Sequence, residues 1–204
     1  DYDLEMRRRI DGDLTRMACE FVTTHGRAGR RFFLYLPLTQ LHFPTLPNRD
    51  FEGRTGAGDF ADSMVEMDHR VGQVLDALDA EGLSPNTLVI FASDNGGTEQ
   101  TRTQNNTEFF NSTGPLRGTK RTMYEGGIRV PMIARWPGTI PAGHISSQPA
   151  VMMDLFATVL HVTGAKVPDD RIIDGKNILP LLTSDAKSPH EFIFGHQISK
   201  LATI

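Results

Sequence analysis

Two short polar runs in this sequence carry side chains that could bind a cation and an oxyanion. In the first run, Asp94 and Asn95 directly follow the apolar residues 87–92. A carboxylate beside a carboxamide supplies the hard oxygen ligands that calcium or magnesium prefers, and Gly96 and Gly97 let the backbone turn sharply around an ion. The same residue types also suit a tight turn, so this run alone leaves both interpretations open.

A lysine and a histidine are the other two candidates for chemistry. Lys120, in the polar run 118–121, could bind an oxyanion as a point charge, although such a lysine is more often a solvated surface residue. His42 follows the apolar run 32–36 and could transfer a proton near neutral pH. No catalytic role is assigned to the six other histidines, none of which sits at a predicted strand end with a polar partner: His25, His69, His144, His161, His190 and His196.

Composition and charge limit the class of protein. The 204 residues are 39% hydrophobic and 23% charged, which is typical of a globular domain with one substantial core. The net charge of -4, with acidic and basic residues interspersed, predicts no binding to nucleic acid or to an anionic membrane. No apolar stretch reaches the roughly 20 residues of a membrane span. The first residues lack both an initiator Met and a signal-peptide pattern, which predicts that the chain begins inside a longer protein.

Helices and buried strands alternate in the predicted structure. Apolar residues at helical spacing predict three helices that end near glycines, over residues 14–26, 60–82 and 152–164. Continuous apolar runs predict strands over parts of 32–37, 88–93 and 130–136, and a short one at 192–194. The order strand, helix, strand predicts a parallel βαβ unit, so the fold class is α/β, with a mostly parallel sheet flanked by helices. Residues 98–122 are predicted to form either a functional loop or a mobile one, and residues 168–187 are predicted to be loop-like.

The four candidate residues, His42, Asp94, Asn95 and Lys120, are expected to converge in such a fold. The carboxyl ends of parallel strands form one edge of the sheet, and the loops that follow them meet above that edge. Three of the four residues flank predicted strand ends, which places them there. Lys120 depends instead on the ordering of its long loop.

The ordered set of motifs in this chain resembles the type I, or formylglycine-dependent, sulfatases of the arylsulfatase kind. It comprises residues 33–36, 42–44, 64–68, 88–96, 118–120, 124–131, 136–138, 153–158, 174–175 and 179–182. Each motif is modest alone, but their order along nearly the whole chain is specific. The resemblance implies an alkaline-phosphatase-like fold truncated at its N-terminus. Residues 1–190 would be the C-terminal portion of the catalytic domain, and residues 191–204 the start of a return toward a smaller C-terminal subdomain.

The resemblance also implies roles for the candidate residues. Asp94 and Asn95 would bind a divalent cation, usually calcium, that also grips an oxygen of the sulfate-ester substrate. Lys120 would hold the sulfate. His42 would lie near the leaving oxygen, where it binds the sulfate or helps to protonate the departing alcohol. The sequence itself gives no compartment, whereas members of the family are usually extracytoplasmic, in the periplasm, the lysosome or outside the cell.

The nucleophile motif of this family, Cys/Ser-x-Pro-x-Arg, is absent from the chain. Cys19 is followed by neither the proline nor the arginine, and its helical setting predicts a buried small residue. Residues 45–49 match the spacing of this motif but begin with a threonine. Residues 147–149 have the serine and the proline but lack the arginine. The family's N-terminal aspartate pair and its upstream lysine and histidine also have no counterpart. The chain is therefore expected to lack the formylglycine and to need the missing N-terminal portion of its own domain for turnover.

Three functions stay open at this point. The first is a fragment of a sulfuric ester hydrolase, whose reaction belongs to the intact protein. The second is a phosphoryl or phosphonyl hydrolase of the alkaline-phosphatase-like group, which would use the same sheet and the same candidate metal ligands. The third is a catalytically inactive, truncated binding protein. A formylglycine motif upstream would favour sulfate, whereas an unmodified threonine or serine nucleophile would favour phosphate.

Overall fold

The computed structural model describes residues 3–98, 107–197 and 200–203. The chain divides into two compact units, residues 1–87 with 98–114 and residues 88–97 with 115–204. The helices are α1 Leu4–Arg27, α2 Asp59–Ala80, α3 Thr107–Phe110, α4 Glu125–Ile128, α5 Asp154–Thr163 and α6 Leu179–Thr183. The strands are β1 Val89–Ala92, β2 Met132–Arg135, β3 Phe194–Gln197 and β4 Lys200–Thr203. Within these three stretches, no helix combines the length and the apolar character that a membrane span requires.

Helix α1 begins ten residues before the predicted start. The apolar pattern missed these residues because the buried face of the helix is mostly polar. Asp3 caps the helix by accepting a hydrogen bond from the backbone N of Met6 at 2.7 Å. The buried residues follow steps of four and three along the helix and begin with a charged pair: Arg7, Asp11, Thr15, Ala18 and Val22. The apolar pattern therefore marks only the second half of the helix.

The end of α1 also differs from the prediction in one respect. The helix ends at Arg27, but the left-handed residue is Gly29, with φ 59°, rather than Gly26. A Cβ at Gly26 would lie 2.7 Å from Cδ1 of Leu83, so this glycine permits a close approach to the chain after α2. Its role is packing rather than termination.

Helix α2 confirms the predicted helix and its end, since Gly82 has φ 66°. Its most buried residues include the acidic side chains Asp62 and Glu66, whereas Met64, on the predicted apolar face, is 42% exposed. The buried polar groups of this helix form hydrogen bonds with nearby loops. Glu66 accepts a hydrogen bond from the backbone N of Asn48 at 2.7 Å.

Asp62 holds the loop that precedes α2. Its Oδ2 accepts a hydrogen bond from Gly53 N at 2.7 Å, and its Oδ1 accepts from Thr55 N at 2.8 Å and Thr55 Oγ1 at 2.7 Å. Burial raises the pKa of the Asp62 carboxyl, but the hydrogen bonds from Thr55 and Gly53 outweigh the burial and bring the pKa below its ordinary value.

We expect the stabilising effect of Asp62 to depend on pH. Because the pKa is lower in the folded than in the unfolded state, the contribution is fully present above the unfolded value of about 3.9 and is lost as the pH falls through the folded pKa. The free energy of unfolding, measured by urea denaturation, should differ between wild type and Asp62→Asn most above about pH 5, and less toward pH 3. Asp68→Asn, an exposed change in the same helix, controls for the lost charge. A difference that is constant with pH would contradict this account.

The predicted strand over residues 32–37 is not a strand in this structure. Residues 30–39 form neither helix nor strand, and the strands of the described residues do not pair with them. Burial alternates along this segment, with Phe33 70% and Tyr35 77% exposed while Phe32 and Leu34 are half-buried. A continuous apolar run was expected to be covered on both faces, but only one face is covered here.

The first sheet confirms two predicted strands and corrects their expected direction. β1 and β2 lie within the predicted ranges 88–93 and 130–136, yet they pair antiparallel, with Val89 opposite Arg135 and Ala92 opposite Met132. β3 and β4 also form an antiparallel pair, so both pairs within the described residues lack the parallel arrangement that the sequence predicts. The predicted parallel βαβ unit is not formed because its first member, residues 32–37, is not a strand.

Helices α5 and α6 build the small core of the second unit. α5 ends as predicted at Gly164, which has φ 70° and donates to the carbonyl of His161 at 3.2 Å. α6 lies inside residues 168–187, which were predicted to be a loop. Ile178, just before α6, is 1% exposed, and its backbone N donates to Oγ1 of the buried Thr158 at 2.9 Å. This polar tie joins the two helices.

Candidate functional site

The candidate cation ligands lie in the turn that follows β1. Ser93 extends the strand pair through a 3.4 Å hydrogen bond from its N to Pro131 O, and its Oγ donates to Asn95 O at 2.9 Å. Nδ2 of Asn95 donates to Gly96 O at 3.0 Å. Because Nδ2 is used in this way, Oδ1 is the Asn95 atom that would ligate a cation, together with the exposed carboxylate of Asp94.

Backbone hydrogen bonds join this turn to the loop that carries Lys120. Lys120 N donates to Gly97 O at 2.8 Å, and Gly96 N donates to Gly127 O at 3.0 Å. The backbone of the candidate anion-binding residue is therefore in direct contact with the turn of Asp94. Lys120 itself is half-buried, so its side chain is not the fully solvated lysine of the alternative interpretation.

Glycines make this close approach possible. A Cβ at Gly96 would lie 2.0 Å from Gly126 O, and a Cβ at Gly126 would lie 2.0 Å from Gly118 O. A Cβ at Gly127 would lie 2.4 Å from Thr122 O. We call Gly96, Gly118, Gly126 and Gly127 the glycine stack. Real Cβ atoms do not approach oxygen so closely, so any other residue would force the two segments apart.

The loop around Lys120 is further shaped by local bonds. Gly118 has φ 80° and Arg121 has φ 77°, and the Oγ1 of Thr122 donates to Thr119 O at 2.8 Å. These conformations turn the chain on both sides of Lys120. The lysine is thus held by a folded loop and not by an extended connector.

His42 lies in the first unit, in a loop with cis peptide bonds at Gln40–Leu41 and Phe43–Pro44. Its ring is exposed, and Nδ1 lies 2.7 Å from Phe43 O. A carbonyl oxygen only accepts, so Nδ1 carries the hydrogen. In the neutral ring, Nε2 is then the nitrogen with a free lone pair.

The structure brings three of the four predicted site residues together. Asp94, Asn95 and Lys120 share the second unit and are joined by the backbone contacts around the glycine stack. His42 belongs to the first unit, so its convergence with the other three stays a prediction. Residues 99–106 of the predicted functional loop lie outside the described residues.

The donor set of this turn fits part of a cation site. Calcium takes about six to eight oxygen ligands, and this turn supplies one carboxylate and one amide oxygen of the right chemistry. Over the stretches that the structure describes, His, Cys, Asp and Glu side chains form no group of three that could hold a metal ion. Further acidic ligands are therefore needed beside Asp94 and Asn95.

Cys19 has the properties of a structural residue. It is half-buried in α1, and its Sγ lies 3.5 Å from Gln73 O. Burial raises the pKa of the Cys19 thiol, and the negative charges of Asp76 and Glu20 raise it further. A thiol kept protonated in this way is a poor nucleophile, which supports the interpretation of Cys19 as a small packing residue.

A hydrogen-bonded pair of a buried carboxylate and a histidine in the second unit was missed by the sequence analysis. Asp154 is 0% exposed, and Nε2 of His190 lies 2.8 Å and 2.9 Å from its two carboxylate oxygens. The same oxygens accept from Val151 N at 2.8 Å and Lys176 N at 2.7 Å. The carboxylate thus ties three chain segments to the start of α5. An acidic residue in a first helical turn is a recognisable signal, but nothing local marks His190 as its partner.

Comparisons with known proteins identify the family of the chain. The family model for sulfatases matches residues 5–165. The chain belongs to the sulfatase family. It is 40% identical to mouse steryl-sulfatase over 197 residues, which cover 95% of this chain and 32% of that protein. It is also 40% identical to mouse N-acetylgalactosamine-6-sulfatase over 168 residues, 82% of this chain and 32% of that protein.

A solved sulfatase shares the fold. The crystal structure of the PsFucS1 sulfatase from Pseudoalteromonas sp. matches with a TM-score of 0.86 at 29% identity, over 97% of this chain and 39% of that one. This likeness confirms the predicted sulfatase fold, of the alkaline-phosphatase-like kind, in a partial domain. The chain spans about a third of the length of the curated relatives. Sulfatase membership implies, in general, formylglycine and divalent-metal chemistry.

Proposed function

We propose that this chain is the metal- and sulfate-binding portion of a sulfuric ester hydrolase of the arylsulfatase kind. The observation that carries the proposal is the glycine stack, which holds the loop of Lys120 against the turn of Asp94 and Asn95. This backbone contact supports the proposal that a cation site and an oxyanion-binding lysine lie side by side. That pairing suits a substrate whose reacting group is a negatively charged sulfate.

Each candidate residue has a distinct role in this proposal. The Asp94 carboxylate and Oδ1 of Asn95 hold the divalent cation, for which we propose calcium because both are hard oxygen donors. When bound, calcium supplies positive charge beside a sulfate oxygen. The ammonium group of Lys120 offsets negative charge on the sulfuryl group. His42 with hydrogen on both ring nitrogens donates its Nε2 proton to the leaving oxygen, which leaves the neutral ring with hydrogen on Nδ1. The nucleophile comes from the N-terminal portion of the same domain, which precedes residues 1–190.

Substrate choice tests the proposal. The longer protein that contains this chain is expected to hydrolyse 4-nitrophenyl sulfate in preference to 4-nitrophenyl phosphate, whereas residues 1–204 alone should hydrolyse neither, because the covalent route needs the missing nucleophile. Lys120→Met should lower kcat/KM for the sulfate by about 10- to 100-fold, the order expected for one lost charge contact in the transition state. The exposed change Lys187→Met is the matched control and should leave kcat/KM unchanged.

Each other outcome points to a different conclusion. Preference for the phosphate ester would replace the proposal by a phosphoryl hydrolase of the alkaline-phosphatase-like group. Binding of inorganic sulfate without turnover by the longer protein would indicate an inactive binding protein. Turnover by residues 1–204 would show that the nucleophile lies within this chain.

A further inference from the structure

Two buried charged residues of α1 hold the loop that carries His42. Asp11 is 2% exposed, and both of its carboxylate oxygens face this loop. Oδ1 accepts a hydrogen bond from Thr39 N at 2.7 Å, and Oδ2 accepts from Thr39 Oγ1 at 3.0 Å and Gln40 N at 3.1 Å. The carboxylate therefore fixes the direction of the chain over the two residues that lead toward His42.

Arg7, one turn earlier in α1, binds the carbonyl side of the same loop. It is 3% exposed, and its Nη2 donates to Thr39 O at 3.1 Å and His42 O at 3.0 Å. Its Nη1 donates to the Thr39 hydroxyl, which in turn donates to Asp11. His42 N closes the turn on Thr39 O at 3.1 Å. The guanidinium group thus binds the backbone of His42 itself.

We propose that Asp11 and Arg7 are positioning residues for His42, which hold its Nε2 in the single orientation from which it donates a proton to the sulfate ester. The inference rests on the proposed function, which assigns the protonation of the leaving oxygen to His42. The backbone of His42 is fixed by Arg7 and by the turn on Thr39, and the ring is fixed by its bond from Nδ1 to Phe43 O. With both fixed, Nε2 points in one direction.

The cost of burying these charges supports a positioning role. Nη1 of Arg7 and Oδ2 of Asp11 are 4.0 Å apart, and their short hydrogen bonds go to the loop and not to each other. Well-packed apolar residues would hold a helix against a loop at least as firmly as a buried ion pair. Charged side chains that form hydrogen bonds with backbone atoms instead select one loop conformation. A reacting histidine needs such a fixed conformation.

Kinetics of the longer protein test the inference. Asp11→Asn should lower kcat on an alkyl sulfate by about 10- to 100-fold with little change in KM, because a small misplacement of a reacting group has this order of effect. The loss should be smaller on 4-nitrophenyl sulfate, whose leaving group departs without a proton. Adding Asp11→Asn to His42→Ala should cause no further loss. Asp13→Asn, an exposed change two residues along the same helix, should keep the wild-type rate and leaving-group dependence.

A spectroscopic measurement separates this inference from the proposed function. In protein labelled with ¹⁵N-histidine, the His42 ring of the wild type should show hydrogen on Nδ1, and Asp11→Asn should shift its signals toward the averaged values of a mobile ring. Amide hydrogen exchange at Thr39 and Gln40 should also become faster. Asp13→Asn should do neither. This arm is readable even if the wild type hydrolyses no sulfate ester, a result that would count against the proposed function alone.

Three results would overturn the inference. One is an equal loss of kcat on alkyl and nitrophenyl sulfates, which a general loss of folded protein would produce. Another is a further loss when Asp11→Asn is added to His42→Ala, since the two residues would then act separately. The third is an unchanged His42 ring spectrum in Asp11→Asn. Arg7→Lys, which keeps the charge but loses the fork of donors, should resemble Asp11→Asn.

Discussion

Replacing Asp94 by alanine should lower kcat/KM of the longer protein for an aryl sulfate by on the order of 10²–10³-fold. Asp94 offers the single carboxylate of the turn after β1, and Asn95 beside it is neutral. In the proposed site, the cation would lose a charged ligand without Asp94, and the sulfate would lose the positive charge of that cation. Since Asp94 is exposed, the free energy of unfolding should stay close to that of the wild type.

The measurement compares kcat/KM over a calcium titration after removal of metal with EDTA. Asp94→Ala should need far more calcium than the wild type to reach its own maximum rate, whereas Asp169→Ala should follow the wild-type curve. Asp169 is a suitable control because it is an exposed aspartate of the same unit, paired with Lys166 on the surface. An unchanged calcium dependence in Asp94→Ala would mean that the cation, if one is used, binds elsewhere.

Replacing Asp154 by alanine is expected to cause the largest loss of stability, about 3–5 kcal/mol in the free energy of unfolding. The change removes a carboxylate that is 0% exposed and leaves the backbone N of Val151 and Lys176 and the ring of His190 without their acceptor. Each buried donor without a partner costs about 1–3 kcal/mol. The exposed change Asp169→Ala should have no measurable effect in the same urea titration.

A double-mutant cycle shows how much of this loss belongs to the pair with His190. If the contact between Asp154 and His190 contributes to stability, Asp154→Ala and His190→Ala should be coupled by about 1–3 kcal/mol. The reason is that in Asp154→Ala the His190 ring has already lost its acceptor, so its removal costs less. Strictly additive losses would mean that Asp154 acts through the two backbone donors alone. A loss below about 1 kcal/mol for Asp154→Ala would contradict the structural role of the carboxylate altogether.

Elements with an apolar face and a glycine at their end were predictable from the sequence. α2 and α5 both follow the helical spacing of apolar residues, and Gly82 and Gly164 adopt the left-handed conformation that ends them. β1 was marked by its continuous apolar run. In these cases the local pattern places the element without knowledge of the rest of the chain, even though part of the apolar face, such as Met64, stays exposed.

Elements that depend on distant polar partners were not predictable in the same way. The first half of α1 has a buried face that begins with Arg7 and Asp11, and these residues resemble surface residues until their loop partners are known. Residues 32–37 are apolar on both faces, yet Phe33 and Tyr35 remain exposed because pairing depends on other strands. The candidate ligands were found from residue types and motif order, but their contact with Lys120 depends on a backbone approach that has no periodicity.

The glycine stack also makes the position of the Lys120 backbone, next to the turn of Asp94, independent of the length of the chain between Gly97 and Lys120. The bond from Lys120 N to Gly97 O closes the connection between them, so the ends of that connection are fixed whatever lies between. For a flexible loop closed in this way, each doubling of length costs only about 0.6 kcal/mol in closure entropy. Changes in the length of the chain between Gly97 and Lys120 would therefore cost little closure entropy and leave the backbone spacing of Lys120 from the turn of Asp94 unchanged.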